Sequence, residues 1–121
     1  MNFSEAVKTC MSKFASFEGR AGRGEYWFFT LFIIVTLIAS LLIGSLISEA
    51  AGAIISVVLM LVVFIPSLAV AIRRLHDTDR SGWWYLIVLV PYIGGLVLLV
   101  FMALPGTEGA NDYGELNRPE I

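Results

Sequence analysis

From Phe3, apolar side chains recur at Val7, Cys10, Phe14 and Phe17, while Lys8, Ser12, Lys13 and Ser16 fall away from that stripe. This 3.6-residue period predicts an amphipathic helix over residues 1–19, lying along the membrane surface or packed under a bundle. Asn2 followed by Glu5 resembles a capping box, and Gly19 is a natural stop. The pattern then changes. Residues 26–48, 50–72 and 83–104 are three uncharged apolar stretches, each at or above the roughly 20 residues that cross a bilayer core. The expected fold is all-α, an integral membrane three-helix bundle forming one domain over 1–121, with a flexible acidic tail over 105–121. A soluble core is disfavoured because three helices apolar on every side leave no face for water.

Smaller features refine this plan. Ser40, Gly44 and Ser48 stand at four-residue intervals, and Gly52 and Ser56 answer from the second stretch. Such small-residue faces let helices approach closely, and Glu49 alone marks the turn, so the first two spans should form a tight antiparallel hairpin. Ser48-Glu49-Ala50 mimics a signal-peptidase site, but the apolar run before it is far longer than a signal peptide's. Tyr26 and Trp27, then Trp83, Trp84 and Tyr85, sit where interfacial aromatic belts anchor spans. Pro66 should kink the second helix. Pro91, Gly94 and Gly95 interrupt the third stretch, for which a re-entrant hairpin at Gly94-Gly95 is the alternative to a span. The hairpin would bring the C-terminus back inside.

Composition supports a membrane residence: 58% of residues are hydrophobic, against roughly 45–50% in soluble domains. Lys8, Lys13, Arg20 and Arg23 precede the first stretch and Arg73, Arg74 and Arg80 separate the second and third, leaving Arg118 alone beyond them. The positive-inside rule therefore predicts a cytoplasmic N-terminus and, with three spans, a periplasmic or extracellular C-terminus. Cys10 is the only cysteine, so there is no intrachain disulfide, and it reads as a small apolar residue on a helix face.

No Asp, Glu, His, Lys or Arg lies within the three stretches, which argues against a proton-coupled carrier or pump. Charge gathers instead in Arg20, Arg23 and Glu25 before the first span and in Arg73, Arg74, His76, Asp77, Asp79 and Arg80 between the second and third. These guanidiniums can hold anionic headgroups or a partner's phosphates, with Glu25, Asp77 and Asp79 orienting them. The simpler use of the same residues is to tie the helix ends together. His76 beside Asp77 invites an acid-base role. No second histidine completes a zinc set and no nucleotide or nucleophile-elbow signature is present, so no catalytic residue, metal or cofactor is assigned.

Two long motifs and a shorter one carry a family resemblance. Phe17-Glu18-Gly19-Arg20-Ala21-Gly22-Arg23-Gly24-Glu25-Tyr26-Trp27 follows an F-x-G-R-x-x-R-x-E-Y-W pattern, and Arg73-Arg74-Leu75-His76-Asp77 through Ser81-Gly82-Trp83-Trp84 follows R-R-L-H-D-x-x-x-S-[GA]-W-W. Gly106-Thr107-Glu108-Gly109-Ala110-Asn111-Asp112-Tyr113-Gly114 is similar to a G-T-x-G-x-N-x-[YF]-G tail. The chain resembles the YhaH-like small bacterial inner-membrane proteins, the domain of unknown function 805. Two departures stand in the tail: Asp112 occupies a position that is commonly basic, and Glu115-Leu116-Asn117-Arg118 replaces a proline and aspartate. The resemblance covers the chain from about Phe14 onward. It implies a bacterial plasma membrane and no established activity.

Three functional expectations follow. The first is a non-enzymatic accessory or scaffold protein that associates with itself or another membrane protein and meets anionic lipid or a partner through Arg20, Arg23, Arg73 and Arg74, with no nucleic acid involved. The second is an enzyme or binding protein for a lipid or other amphiphile at the inner leaflet, using His76 and Asp77. The third is a small oligomeric pore or transporter.

Overall fold

The computed structural model describes residues 2–107, 109 and 111–113. Four α-helices and one 3-10 helix account for the regular structure: α1 (Phe3–Ser12), α2 (Arg23–Ser45), α3 (Glu49–Asp77), a 3-10 helix (Gly82–Leu89) and α4 (Gly94–Ala103). α1 begins where Asn2 Oδ1 accepts from the Glu5 amide at 2.9 Å. It ends seven residues short of the expected Gly19. Ser12 Oγ donates back to the Thr9 carbonyl, which also takes the Lys13 amide, so side chain and backbone compete for one acceptor as the helix stops. Phe3 packs edge-on against Phe28 and Phe32, and Cys10 lies against Glu25, so α1 runs antiparallel along the first turns of α2.

Among the described residues, α2 and α3 are the two helices long and apolar enough to cross a membrane. Their outer faces are open: Leu42, Leu46 and Leu61 are 65%, 85% and 70% exposed. Apolar surface on this scale suits lipid and not water. The turn between the helices is three residues long, with Ile47 and Ser48 amides on the Gly44 carbonyl and Ser48 Oγ capping α3 through the Ala51 amide. Ser40 and Ser56 hydroxyls meet at 3.1 Å. A Cβ on Gly44 would collide with the Gly52 backbone, approaching its nitrogen to 2.9 Å. The small residues therefore serve the α2–α3 contact within the chain. α3 runs through Pro66 without interruption and carries Arg73 to Asp77 in its last turns. It closes with the Asp79 amide on the His76 carbonyl and the Arg80 amide on the Leu75 carbonyl, Asp79 taking the left-handed conformation at φ 60°.

The third apolar stretch, expected as a single span over 83–104, is not one helix. It divides into segments of 8 and 10 residues, each about 15 Å long and half a bilayer core. Val90 is extended (φ −73°, ψ 118°), as the residue before a proline prefers. Pro91 follows, and Tyr92 turns the chain at φ 70°. Gly94 is required next, because a Cβ there would overlap the Ile87 carbonyl oxygen. The segments then fold back on each other: Arg80 lies 4.4 Å above the Phe101 ring and Trp84 meets Phe101 edge-on at 5.7 Å. This is a hairpin that enters and leaves at one end of the bundle. Its break falls just before Gly94-Gly95, at Val90–Ile93.

Two buried clusters knit the elements. Cys10, Ala21, Phe29 and Val70 join α1, α2 and α3, and Ala71, Leu75, Leu98 and Met102 join α3 to α4, with Tyr26 packed against both.

Candidate functional site

All the charged motifs converge where α2 begins, α3 ends and the hairpin returns. Asp77, fully buried at the end of α3, accepts from Arg20 Nε at 2.9 Å on one oxygen and from Arg74 Nη1 at 2.6 Å on the other. Arg73, equally buried, pairs through Nη1 with Glu25 Oε2 in the first turn of α2. Three buried guanidiniums thus share two carboxylates. Carbonyl oxygens supply the remaining negative potential. Arg74 donates to Met102 and Leu104 at the end of α4, where unsatisfied carbonyls and the helix dipole favour a cation. Arg20 donates to the Thr107 and Gly109 carbonyls, each at 2.6 Å. Trp27 Nε1 donates to the Met102 carbonyl at 3.2 Å.

The arginines expected to contact lipid headgroups are thereby used inside the protein. Arg20, Arg73 and Arg74 are at most 7% exposed; the Arg20 and Arg74 guanidiniums bind carbonyls of residues 102–109, and Arg73 pairs with Glu25. Arg73 Nε and Nη2 and Arg23 Nε are buried without a hydrogen-bond partner. Arg80 is half-buried over Phe101. Among the expected interface anchors, Tyr26, Trp27 and Tyr85 are half-buried, whereas Trp83 and Trp84 are exposed.

The start of the tail is also part of the site. Thr107 donates its amide to the Asp77 carbonyl at 2.8 Å, and Asn111 Nδ2 donates to the His76 carbonyl at 3.0 Å and to Thr107 Oγ1 at 2.7 Å. Tyr113 stacks parallel on the His76 ring with centroids 4.1 Å apart. Residues 105–107 and 111–113 therefore lie with the arginines and not at the far end of the spans, as three crossings would have required. Glu108, Glu115, Arg118 and Glu120 lie outside the described residues.

Beside this network opens a cavity of about 470 Å³ lined by Leu68, Ile72, His76, Ser81, Gly82, Trp83, Tyr85, Leu86 and Tyr113. α3 supplies one wall and the 3-10 helix the other. Gly82 permits the close approach, since a Cβ there would come within 2.8 Å of the Ile72 side chain. His76 Nδ1 is 3.0 Å from the Gly19 carbonyl oxygen. A carbonyl only accepts, so Nδ1 carries the proton. Gly19 reaches this position through a left-handed turn at φ 90°, which glycine takes at no steric cost. Sequence reasoning singled out His76 but missed Ser81, Leu68, Ile72 and the tail residues as wall and clasp. The Gly-Thr-x-Gly-x-Asn-x-Tyr pattern was the available signal for the tail.

Behind the ion pairs, Cys10 Sγ lies 3.7 Å from Glu25 Oε2. Burial first, then the nearby Glu25 charge, pushes its thiol up to about 12, so it stays protonated. No group of three or more metal-binding side chains is present among the described residues.

Two apolar helices with lipid-exposed faces and a buried polar clasp at one end define a small helical membrane protein. Residues 14–115 match the family described as "Protein of unknown function (DUF805)", and the chain belongs to it. Inner membrane protein YhaI of Escherichia coli (strain K12) is 50% identical over 105 residues, covering 86% of this chain and 87% of the relative. Inner membrane protein YhaH of the same strain is 45% identical over 107 residues, covering 86% and 88%. The uncharacterized protein YiiR of that strain is 28% identical over 126 residues, covering 83% and 84%. No solved structure matches the chain. These relatives support residence in a bacterial inner membrane.

Proposed function

We propose that the protein is a non-enzymatic accessory protein of the bacterial inner membrane that holds one amphiphilic molecule at the cytoplasmic interface. One observation carries this reading: the cavity of about 470 Å³ is apolar along Leu68, Ile72 and Leu86 and polar at His76, Ser81 and Tyr113. That volume lies within the roughly 300–1,000 Å³ of small-molecule sites. Its polar end adjoins the arginine network at the mouth of the hairpin, the level that headgroups occupy if α2 and α3 span. The cytoplasmic assignment rests on the seven basic residues gathered at this end.

The small residues that would mediate assembly as a scaffold are engaged between α2 and α3, which favours ligand holding over helix-mediated partner binding. No nucleophile or second titratable side chain joins His76 on the cavity wall in a hydrogen-bonded pair among the described residues, which favours binding over catalysis. The test is tryptophan quenching by a brominated monoacylglycerol in the detergent-solubilised full chain. Saturable quenching that Leu68→Trp reduces by filling the wall is expected. Quenching unaffected by that substitution, with helical content intact, would overturn the proposal.

A further inference from the structure

The polar end of the cavity has a definite hydrogen-bonding character. His76 Nδ1 holds its proton against the Gly19 carbonyl. The neighbouring Asp77 carboxylate is occupied by two guanidiniums, and Asp79 Oδ1 takes the Asp112 amide at 3.3 Å. The imidazole is therefore neutral, and its Nε2 presents a lone pair. Tyr113 stacks on the ring face, leaving the ring edge as the route to that nitrogen. Ser81 Oγ accepts from the Trp83 amide at 3.1 Å, so the hydroxyl proton is available to donate. The wall thus offers the imidazole lone pair and the Ser81 hydroxyl beside the Tyr85 and Tyr113 side chains.

Among the described residues, no Lys, Arg, Asp or Glu side chain lines the cavity. The nearby Arg20 and Arg74 point away into Asp77 and backbone carbonyls. A phosphate or carboxylate placed here would lose its hydration without meeting a counter-charge, which is strongly unfavourable in an apolar site. A hydroxyl suits the same wall, since it donates to His76 Nε2 while accepting from Ser81. We infer that the cavity selects a neutral, hydroxyl-headed amphiphile, the class of acylglycerols and long-chain alcohols, over anionic lipid. This rests on the amphiphile-holding reading above and specifies the head that the site takes.

The experiment compares three probes sharing one 9,10-dibromostearoyl chain: the monoacylglycerol, the free acid and the methyl ester. Quenching titrations use the full chain in detergent and its His76→Asn variant, whose amide can still donate to Gly19 but cannot supply Nε2. The monoacylglycerol should bind at least about tenfold more tightly than the other two, and His76→Asn should remove most of that advantage. An ester that binds as tightly as the glycerol, or an acid that binds more tightly, overturns the head assignment while leaving the cavity reading standing. Saturable binding of none of the three overturns the cavity reading as well. A preference for the glycerol that persists undiminished in folded His76→Asn shows that His76 does not set it, and the inference is then wrong.

Discussion

Replacing Asp77 by Asn keeps the side-chain shape but removes the negative charge shared by Arg20 and Arg74. Both contacts are short, at 2.9 and 2.6 Å, and Asp77, Arg20 and Arg74 are buried almost completely. Removing one partner from a buried pair leaves uncompensated charge and costs about 3–5 kcal/mol. An amide can still accept one hydrogen bond, so the lower half of that range is expected. Against a total stability of about 5–15 kcal/mol, the loss is large. Because the same guanidiniums hold Leu104, Thr107 and Gly109, the substitution should also release the hairpin and tail before α2 and α3 separate. Two assays on the detergent-solubilised protein test this: denaturant unfolding followed by circular dichroism, and limited proteolysis after residue 80. The expected result is a stability loss of about 3 kcal/mol with early cleavage beyond Arg80. A loss below about 1 kcal/mol, the range of exposed ion pairs, would refute the buried-clasp argument.

Other substitutions separate the hairpin from the rest of the fold. Gly94→Ala forces a Cβ into the Ile87 carbonyl and should cost about 1–3 kcal/mol, whereas Gly95→Ala points into open space and should be neutral or slightly stabilising; unfolding curves of the two variants distinguish them. Tyr92→Gly relieves a left-handed backbone at φ 70° and should stabilise the hairpin by about 1 kcal/mol, read by the same unfolding curves. Cys10 should alkylate slowly. With its pKa raised from 9.0 to about 12, the thiolate fraction at pH 8 is about a thousandfold lower, so iodoacetamide labelling of the native protein should approach the free-thiol rate only after denaturation.

The first two long helices were legible because lipid-facing helices need only length and apolarity, both visible in residues 26–48 and 50–72. At the arginine end the observed helices extend beyond those stretches, to Arg23 in α2 and Asp77 in α3, whereas α2 stops at Ser45, short of residue 48. Hydrophobicity could not decide the third element, since a span and a re-entrant hairpin are equally apolar. The distinction lies in Val90-Pro91-Tyr92 backbone geometry and in the contact between Gly94 and Ile87, which are properties of the fold. The arginine motifs were visible as clusters, but the directions of the Arg20 and Arg74 guanidiniums depend on carbonyls brought from residues 102–109. For that reason a surface for anionic lipid and an internal clasp looked alike in sequence, and the burial of Arg20, Arg73 and Arg74 separates them.

The central claim is that the third apolar segment turns back and returns the tail to the arginine end of the spans. Single cysteines at Lys13, Ile47 and Asp112 in a Cys10→Ser background, labelled with an impermeant maleimide from each side of the membrane, test it directly. Lys13 and Asp112 should label from the cytoplasmic side and Ile47 from the opposite side. Labelling of Asp112 together with Ile47, opposite Lys13, would contradict the re-entrant hairpin and the clasp built on it.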